Sequence, residues 1–208
     1  MATEKILLIG SGALARDFVE SFGRDAFVAI YVDPQFPVTQ IDGLPVFTDW
    51  KEARDRASHY VIGFSDIEQR ERVRGHAKSA GLLPASPFIS RFAVIASDAS
   101  LSPGCAVGHF AVVGPSARLC EDVLVMHSAV IAHDASVGVN TLLCAGARLG
   151  GYVQIGSGCF VGPNAVVSPR VKIGSNSHIA GGASCFRDAE AYSVLIGNPA
   201  RQAKRSRL

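Results

Sequence analysis

The chain has 208 residues, 48% hydrophobic and 18% charged, with a formal net charge of +2. It can bury a sizeable core, and it lacks the basic footprint that nucleic-acid binding leaves. No apolar run approaches the roughly 20 residues that span a bilayer, and MATEKILLIG has no basic segment ahead of a long apolar stretch, so it does not read as a signal peptide.

Residues 1–85 alternate between strand-like and helix-like segments. KILLIG reads as a buried strand, ALARDFVESFG as a helix ending at Gly23, and AFVAIYVD as a second strand. YVIGFS is a third strand, followed by the helical DIEQRERVRGHAKSAG. Such alternation argues for a small parallel sheet flanked by helices. GSGALAR follows the first strand and opens a helix, matching G-x-G-x-x-A, and Asp33 ends the next strand. A loop of this kind turns backbone amides and a helix N-terminus toward a phosphate. A complete dinucleotide fold needs more strands than this segment is expected to hold, so no redox cofactor is expected.

From Ile89 the period changes to six. An aliphatic residue recurs at positions 89, 95, 101 and onward to 179, sixteen times without a slip, and from Ala93 onward a small or β-branched residue stands two residues before each. Neither a helix nor a hairpin sheet has this period; a parallel β-helix of hexapeptide repeats does. Each hexad supplies a short strand with its aliphatic residue inward, and three hexads close a triangular coil. Residues 18 apart therefore stack, about 4.8 Å apart along the axis. The expected boundaries are an α/β unit over 1–85, a β-helix over 86–186 and a C-terminal tail over 187–208.

The five cysteines (Cys105, Cys120, Cys144, Cys159, Cys185) are odd in number, contain no C-x-x-C pair and fall at inward or corner positions of this register. They read as packing residues of a reduced, cytoplasmic protein. The same register puts His133 and Asp134 at an outward corner, with Gly151 stacked on the histidine in the next coil and expected to leave an open slot beside the imidazole. His109 and His127 share another corner. Their spacing does not match that of the gamma-class carbonic anhydrases, which bind zinc on β-helices, so no metal is expected.

SAVIAHDASVG followed by CAGARLGG resembles the NeuD/PglD-type sugar acetyltransferases, in which a histidine and an adjacent acid precede an "IG" hexad. YSVLIGNPARQ is similar to the ending of acetyl-CoA-dependent hexapeptide transferases, and LLIGSGALAR, YVD and IDGLPVF resemble the small Rossmann-like domain at the front of that family. The resemblance implies a left-handed β-helix and an acetyl-CoA:sugar transferase that works as a homotrimer, with active sites between adjacent β-helices. It makes His133 the general base and Asp134 its orienting acid. Leu142 stands where many members carry a second histidine against the thioester, so either a backbone amide such as that of Gly151 polarises the carbonyl or the acyl pocket is altered. Acetyl-CoA contacts are expected at Leu142, Gly151, Ala180, Arg187, Pro199 and Arg201, with Lys204, Arg205 and Arg207 adding positive charge. Nucleotide-sugar contacts are expected at Gly10, Gly12, Ala13, Asp33 and Gly63. Ala132, Leu142 and Ala145 are expected to line the apolar face that a trimer buries. Two alternatives remain open at this point: O-acetylation of a sialic acid-like sugar, and a trimeric β-helix scaffold without activity.

Overall fold

The computed structural model describes residues 4–38 and 40–203. The chain divides between Phe88 and Ile89 into two compact units. In the first, strands β1 (Ile6–Ile9), β2 (Ala29–Tyr31), β3 (Val46–Phe47), β4 (His59–Ile62) and β5 (Leu83–Pro84) form a sheet in the order β3-β2-β1-β4-β5. Every pairing is parallel. β1 holds the centre because it is the most apolar run of this unit, and Leu7 and Leu8 are fully buried. A parallel strand covered on both faces needs such a run.

Helix α1 (Ala13–Phe22) buries Ala15, Phe18 and Val19, a stripe of helical spacing, and Gly23 ends it. Helices α2 (Trp50–Arg56) and α3 (Ile67–Ser79) start at Asp49 and Asp66, whose carboxylates accept from amides of the first turn. Helix α1 differs: its N-cap is Gly12, with no side-chain cap. β3, α2 and β5 are additions to the three strands and two helices expected from the sequence. Strands of two residues are too short to show a period.

The second unit is a parallel β-helix. Strands β6 to β22 run from Phe88–Ile89 to Ser184–Cys185, two residues each, and those on one face pair at a register of 18, as in Val112↔Val130 and Val130↔Arg148. Three sheets make the three faces. The inward aliphatic residues and the small residues before them form one continuous core from Cys105 to Leu195. Ile89, Ile95 and Leu101 pack less completely, and Ile89 is 44% exposed. They belong to the first coil, which has a neighbouring coil on one side only. Where the small position is polar, the hydroxyl is satisfied: Thr141 donates to Gly156 O and Ser177 to Gly174 O.

From Gly104 to Gly182, each corner places the third residue after the inward aliphatic in the left-handed region of φ. Gly, Asn, Asp or Ser fill most of these corners, whereas Phe110, Tyr152 and Arg170 do not fit the type. That conformation costs an L-residue roughly 1–2 kcal/mol. A second corner position needs glycine for a different reason. A Cβ at Gly138, Gly156 or Gly174 would lie 2.3–2.5 Å from a backbone nitrogen of the next coil.

The last coil breaks the period. Ile173 bridges Ala189 and Ile179 pairs with Leu195, a register of 16. Strand β23 (Val194–Ile196) then turns back, and β24 (Arg201–Ala203) pairs with it antiparallel.

Candidate active site

The hexad register fixes where His133 stands: two residues past the inward Ile131, at a corner, with its side chain 55% exposed. Asp134 takes the left-handed position (φ 57), which an aspartate tolerates, and this turn brings its carboxylate to the imidazole. Asp134 Oδ2 lies 2.9 Å from His133 Nδ1. With Nδ1–H donating to that carboxylate, the lone pair of the neutral ring sits on Nε2.

Gly151 stacks on this ring, but not as an open slot. A Cβ there would lie 2.6 Å from Nε2 and 2.7 Å from Cε1, so the imidazole itself occupies the space that glycine vacates. The expectation of an empty slot is corrected accordingly: Gly151 is the seat of the histidine. Tyr152, the next residue, meets the same ring edge to face at 5.2 Å, and its amide donates to His133 O. The Arg170 guanidinium lies 5.3 Å from the Tyr152 ring centroid. Sequence reading missed Tyr152 and Arg170. The available signal was a bulky aromatic and an arginine at successive corner positions that usually hold Gly, Asn or Asp.

The corner column of His133 continues through Gly151 and Pro169 to Arg187, two residues after the inward Cys185. Three coils separate His133 from Arg187, about 14 Å along the axis. Arg187 opens a cleft of about 500 Å³ at the end of the β-helix, whose lining also includes Phe186, Pro199, Ala200 and Arg201. Three of the predicted acetyl-CoA residues therefore meet in one place. Ala180 lies on another corner, where its amide donates to Leu195 O. Lys204, Arg205 and Arg207 fall outside the described residues.

Leu142 is not where the sequence placed it. It was expected on an exposed outer face and is instead 0% exposed in the single chain, in register between Leu124 and Phe160. The outer column Ala106, Leu124 and Leu142 is buried as a whole. Ala132 and Ala145 are half-buried. A different face carries valines in its outer column: Val94 (62% exposed) and Val166 are exposed, Val112 and Val130 are half-buried, and the exposed Arg148 stands between Val130 and Val166.

The other histidines have structural partners. His127 Nδ1 accepts the His109 amide, the two rings stack, and His109 Nδ1 bonds Ser90 Oγ. His178 stacks on Phe160, and burial holds its pKa below the usual histidine value. Among the described residues, no group of three or more His, Cys, Asp or Glu side chains converges on a point that could hold a metal ion. Burial raises the thiol of Cys105 to about 12 and those of Cys144 and Cys185 to about 11.

The N-terminal unit has its own pocket, about 390 Å³, at the carboxyl ends of β1, β2 and β4. Gly10, Ser11, Gly12 and Asp33 line it together with Phe36, Phe64 and Ser65. Gly10 needs its glycine twice over, because its φ is +113 and a Cβ would lie 2.9 Å from the Phe64 ring. Around Gly12 nothing approaches, so the uncapped N-terminus of α1 is open to a ligand. Asp33 accepts from Arg72 at 2.9 Å and from the Gln35 amide. Two predicted contacts lie elsewhere. Ala13 starts α1 outside the lining. Gly63 is a packing glycine whose Cβ would fall 2.8 Å from Leu8 Cδ1 and 3.2 Å from Ala15 Cα.

Residues 152–187 match the family described as bacterial transferase hexapeptide (six repeats). No curated protein sequence matches the chain. Among solved structures, the acetyltransferase domain of PglB from Neisseria gonorrhoeae matches with a TM-score of 0.86 at 21% identity, over 97% of this chain and 100% of that one. The same domain has been solved with acetyl coenzyme A. PerB from Caulobacter crescentus, in complex with CoA and GDP-perosamine, matches with a TM-score of 0.76 at 21% identity, over 97% and 98% of the two chains. WeeI from Acinetobacter baumannii matches at 0.58 and 18% identity, over 97% and 100%. The chain has the fold of these proteins nearly end to end, an α/β unit followed by a left-handed parallel β-helix built of hexapeptide repeats.

Proposed function

We propose that the protein transfers an acetyl group from acetyl-CoA to the amino group of a nucleotide-linked amino sugar, with His133 as general base. The observation that carries this reading is the His133–Asp134 pair, 2.9 Å apart, on the corner column that ends at the Arg187–Arg201 cleft. Proteins of the same fold have been solved with acetyl-CoA, or with CoA and a GDP-linked sugar, and this supports both halves of the reaction.

In this scheme the amine attacks the thioester carbonyl, and its proton passes to His133 Nε2. Asp134 fixes the tautomer beforehand and stabilises the imidazolium afterwards. The Gly151 amide, one coil from His133, would donate to the tetrahedral oxyanion, since the Leu142 side chain offers no hydrogen bond. Collapse breaks the carbon–sulfur bond, and the thiolate of CoA recovers the proton from the imidazolium. No enzyme nucleophile takes part. The cysteines with raised pKa are poorly suited to that role. The pantetheine arm would run along the His133–Arg187 corner, and its phosphates would meet Arg187 and Arg201. In the first unit, the nucleotide would place a phosphate at the N-terminus of α1 beside Gly10 and Gly12.

The valine-rich face of Val94, Val112, Val130 and Val166 is the surface that a cyclic trimer would bury. The decisive assay measures release of free CoA thiol from acetyl-CoA, with a panel of GDP- and UDP-linked amino sugars and matched hydroxyl sugars. Thiol release with an amino sugar, and acetamide formation by mass spectrometry, is the expected result. Turnover of hydroxyl sugars alone would move the assignment to O-acetylation. Failure of acetyl-CoA to raise the melting temperature would leave the scaffold reading.

A further inference from the structure

Tyr152 occupies a corner poorly suited to it. The equivalent positions Gly146, Gly158, Asn164 and Asn176 carry the residues that a left-handed φ favours, whereas Tyr152 sits at φ 61 with a bulky ring half in solvent. A conformation of this kind persists only where its surroundings hold it. Two contacts do so. The ring meets the His133 imidazole at an interplanar angle of 89°, and the Arg170 guanidinium, one coil further, lies over the ring. The backbone ladder ties the same three coils: Tyr152 N–H donates to His133 O at 3.1 Å, and Arg170 N–H to Gly151 O at 2.9 Å.

A half-exposed imidazole on a corner would otherwise exchange between rotamers. Here it is bounded by Asp134 at Nδ1, by Gly151 stacked over Nε2 and Cε1, and by Tyr152, whose ring stands perpendicular to it. We infer that Tyr152, clamped by Arg170, is the positioning residue for His133: its ring stops the imidazole from swinging away from Asp134 and holds Nε2 toward the reacting amine. The inference rests on His133 being the proton acceptor. The contact is made by the ring, so phenylalanine would serve in place of tyrosine.

The left-handed φ supplies a clean test, because Tyr152→Gly removes the ring and relieves the backbone. Its melting temperature should hold or rise, while kcat falls roughly tenfold or more and KM for acetyl-CoA stays within about twofold. The ¹⁵N resonances of His133, single-tautomer in the parent with the proton on Nδ1, should move to those of a mixed population. Tyr152→Phe should restore both readouts. If Tyr152→Gly lowers the melting temperature, Arg170→Met, which frees the ring but leaves it in place, should give the same mixed tautomer and a several-fold lower kcat. A Tyr152→Gly enzyme, or a folded Arg170→Met enzyme, that keeps parental kcat and a single tautomer overturns the inference. His133→Ala separates the two levels. If that variant is fully active the acyl-transfer reading fails, and the tautomer measurement still decides whether Tyr152 clamps the ring.

Discussion

His133 touches an acid, a glycine and an aromatic ring, and no part of it supports the hydrophobic core. Its replacement should therefore separate activity from stability. His133→Ala is expected to lower kcat by about 10²–10⁴-fold with little change in melting temperature. Asp134→Asn should cost less, because an amide oxygen can still accept from Nδ1–H but stabilises the imidazolium poorly. Steady-state kinetics on both variants, beside His127→Ala and His109→Ala as near-parental controls, checks this. Loss of activity in His127→Ala but not in His133→Ala would move the base to the other corner. The thiols make a second residue-scale prediction. Cys105, Cys144, Cys159 and Cys185 are buried with raised pKa, whereas Cys120 is exposed. Brief iodoacetamide treatment of the native protein should add one label per chain, at Cys120, with all five cysteines labelled after unfolding. Asp33, bonded to Arg72 at the pocket mouth, supplies a third. Asp33→Ala should raise KM for the nucleotide sugar and leave KM for acetyl-CoA unchanged, and equal KM values for the sugar would detach the pocket from the reaction.

Among the elements, the coil is the one most fully legible in sequence. A period of six with paired inward positions specifies faces, core and stacking register, because every coil repeats the same steric solution. The register alone brought His133, Asp134 and Gly151 together. It did not reveal what fills the space above Gly151, since a glycine opposite a histidine reads equally as room for a ligand or as room for the ring. It also misjudged Leu142: outward direction in a hexad is set by the local period, but burial of an outer face depends on the rest of the chain. In the first unit, β1 and α1 announced themselves by apolar runs and helical spacing, whereas two-residue strands such as β3 left no pattern to detect. Tight coil stacking makes its own prediction. A methyl group at Gly156 would sit 2.5 Å from Ser175 N, so Gly156→Ala should destabilise the β-helix by about 1–3 kcal/mol. Gly12→Ala, where nothing lies within 4 Å, should melt within a degree or two of the parent. Equal melting temperatures for the two variants would mean that the coils are less closely stacked than described.

At the scale of the whole molecule, the column of Val94, Val112, Val130 and Val166, interrupted only by Arg148, marks a valine-rich face that a cyclic assembly would cover. Sedimentation at micromolar concentration should give three times the chain mass, and Val130→Glu should reduce it to one. A monomeric parent would remove the case for shared sites. No helix among the described residues is long and apolar enough to cross a membrane. The short last coil has a consequence of a different kind. A solenoid presents its terminal rung as an unpaired strand edge, a template on which another chain could polymerise. Here the rung loses two residues, and β24 turns antiparallel across β23. An incoming parallel hexad would thus meet a strand of the wrong direction and the wrong register, so the turn that shapes the Arg187–Arg201 cleft also acts as a chain terminator against fibre growth.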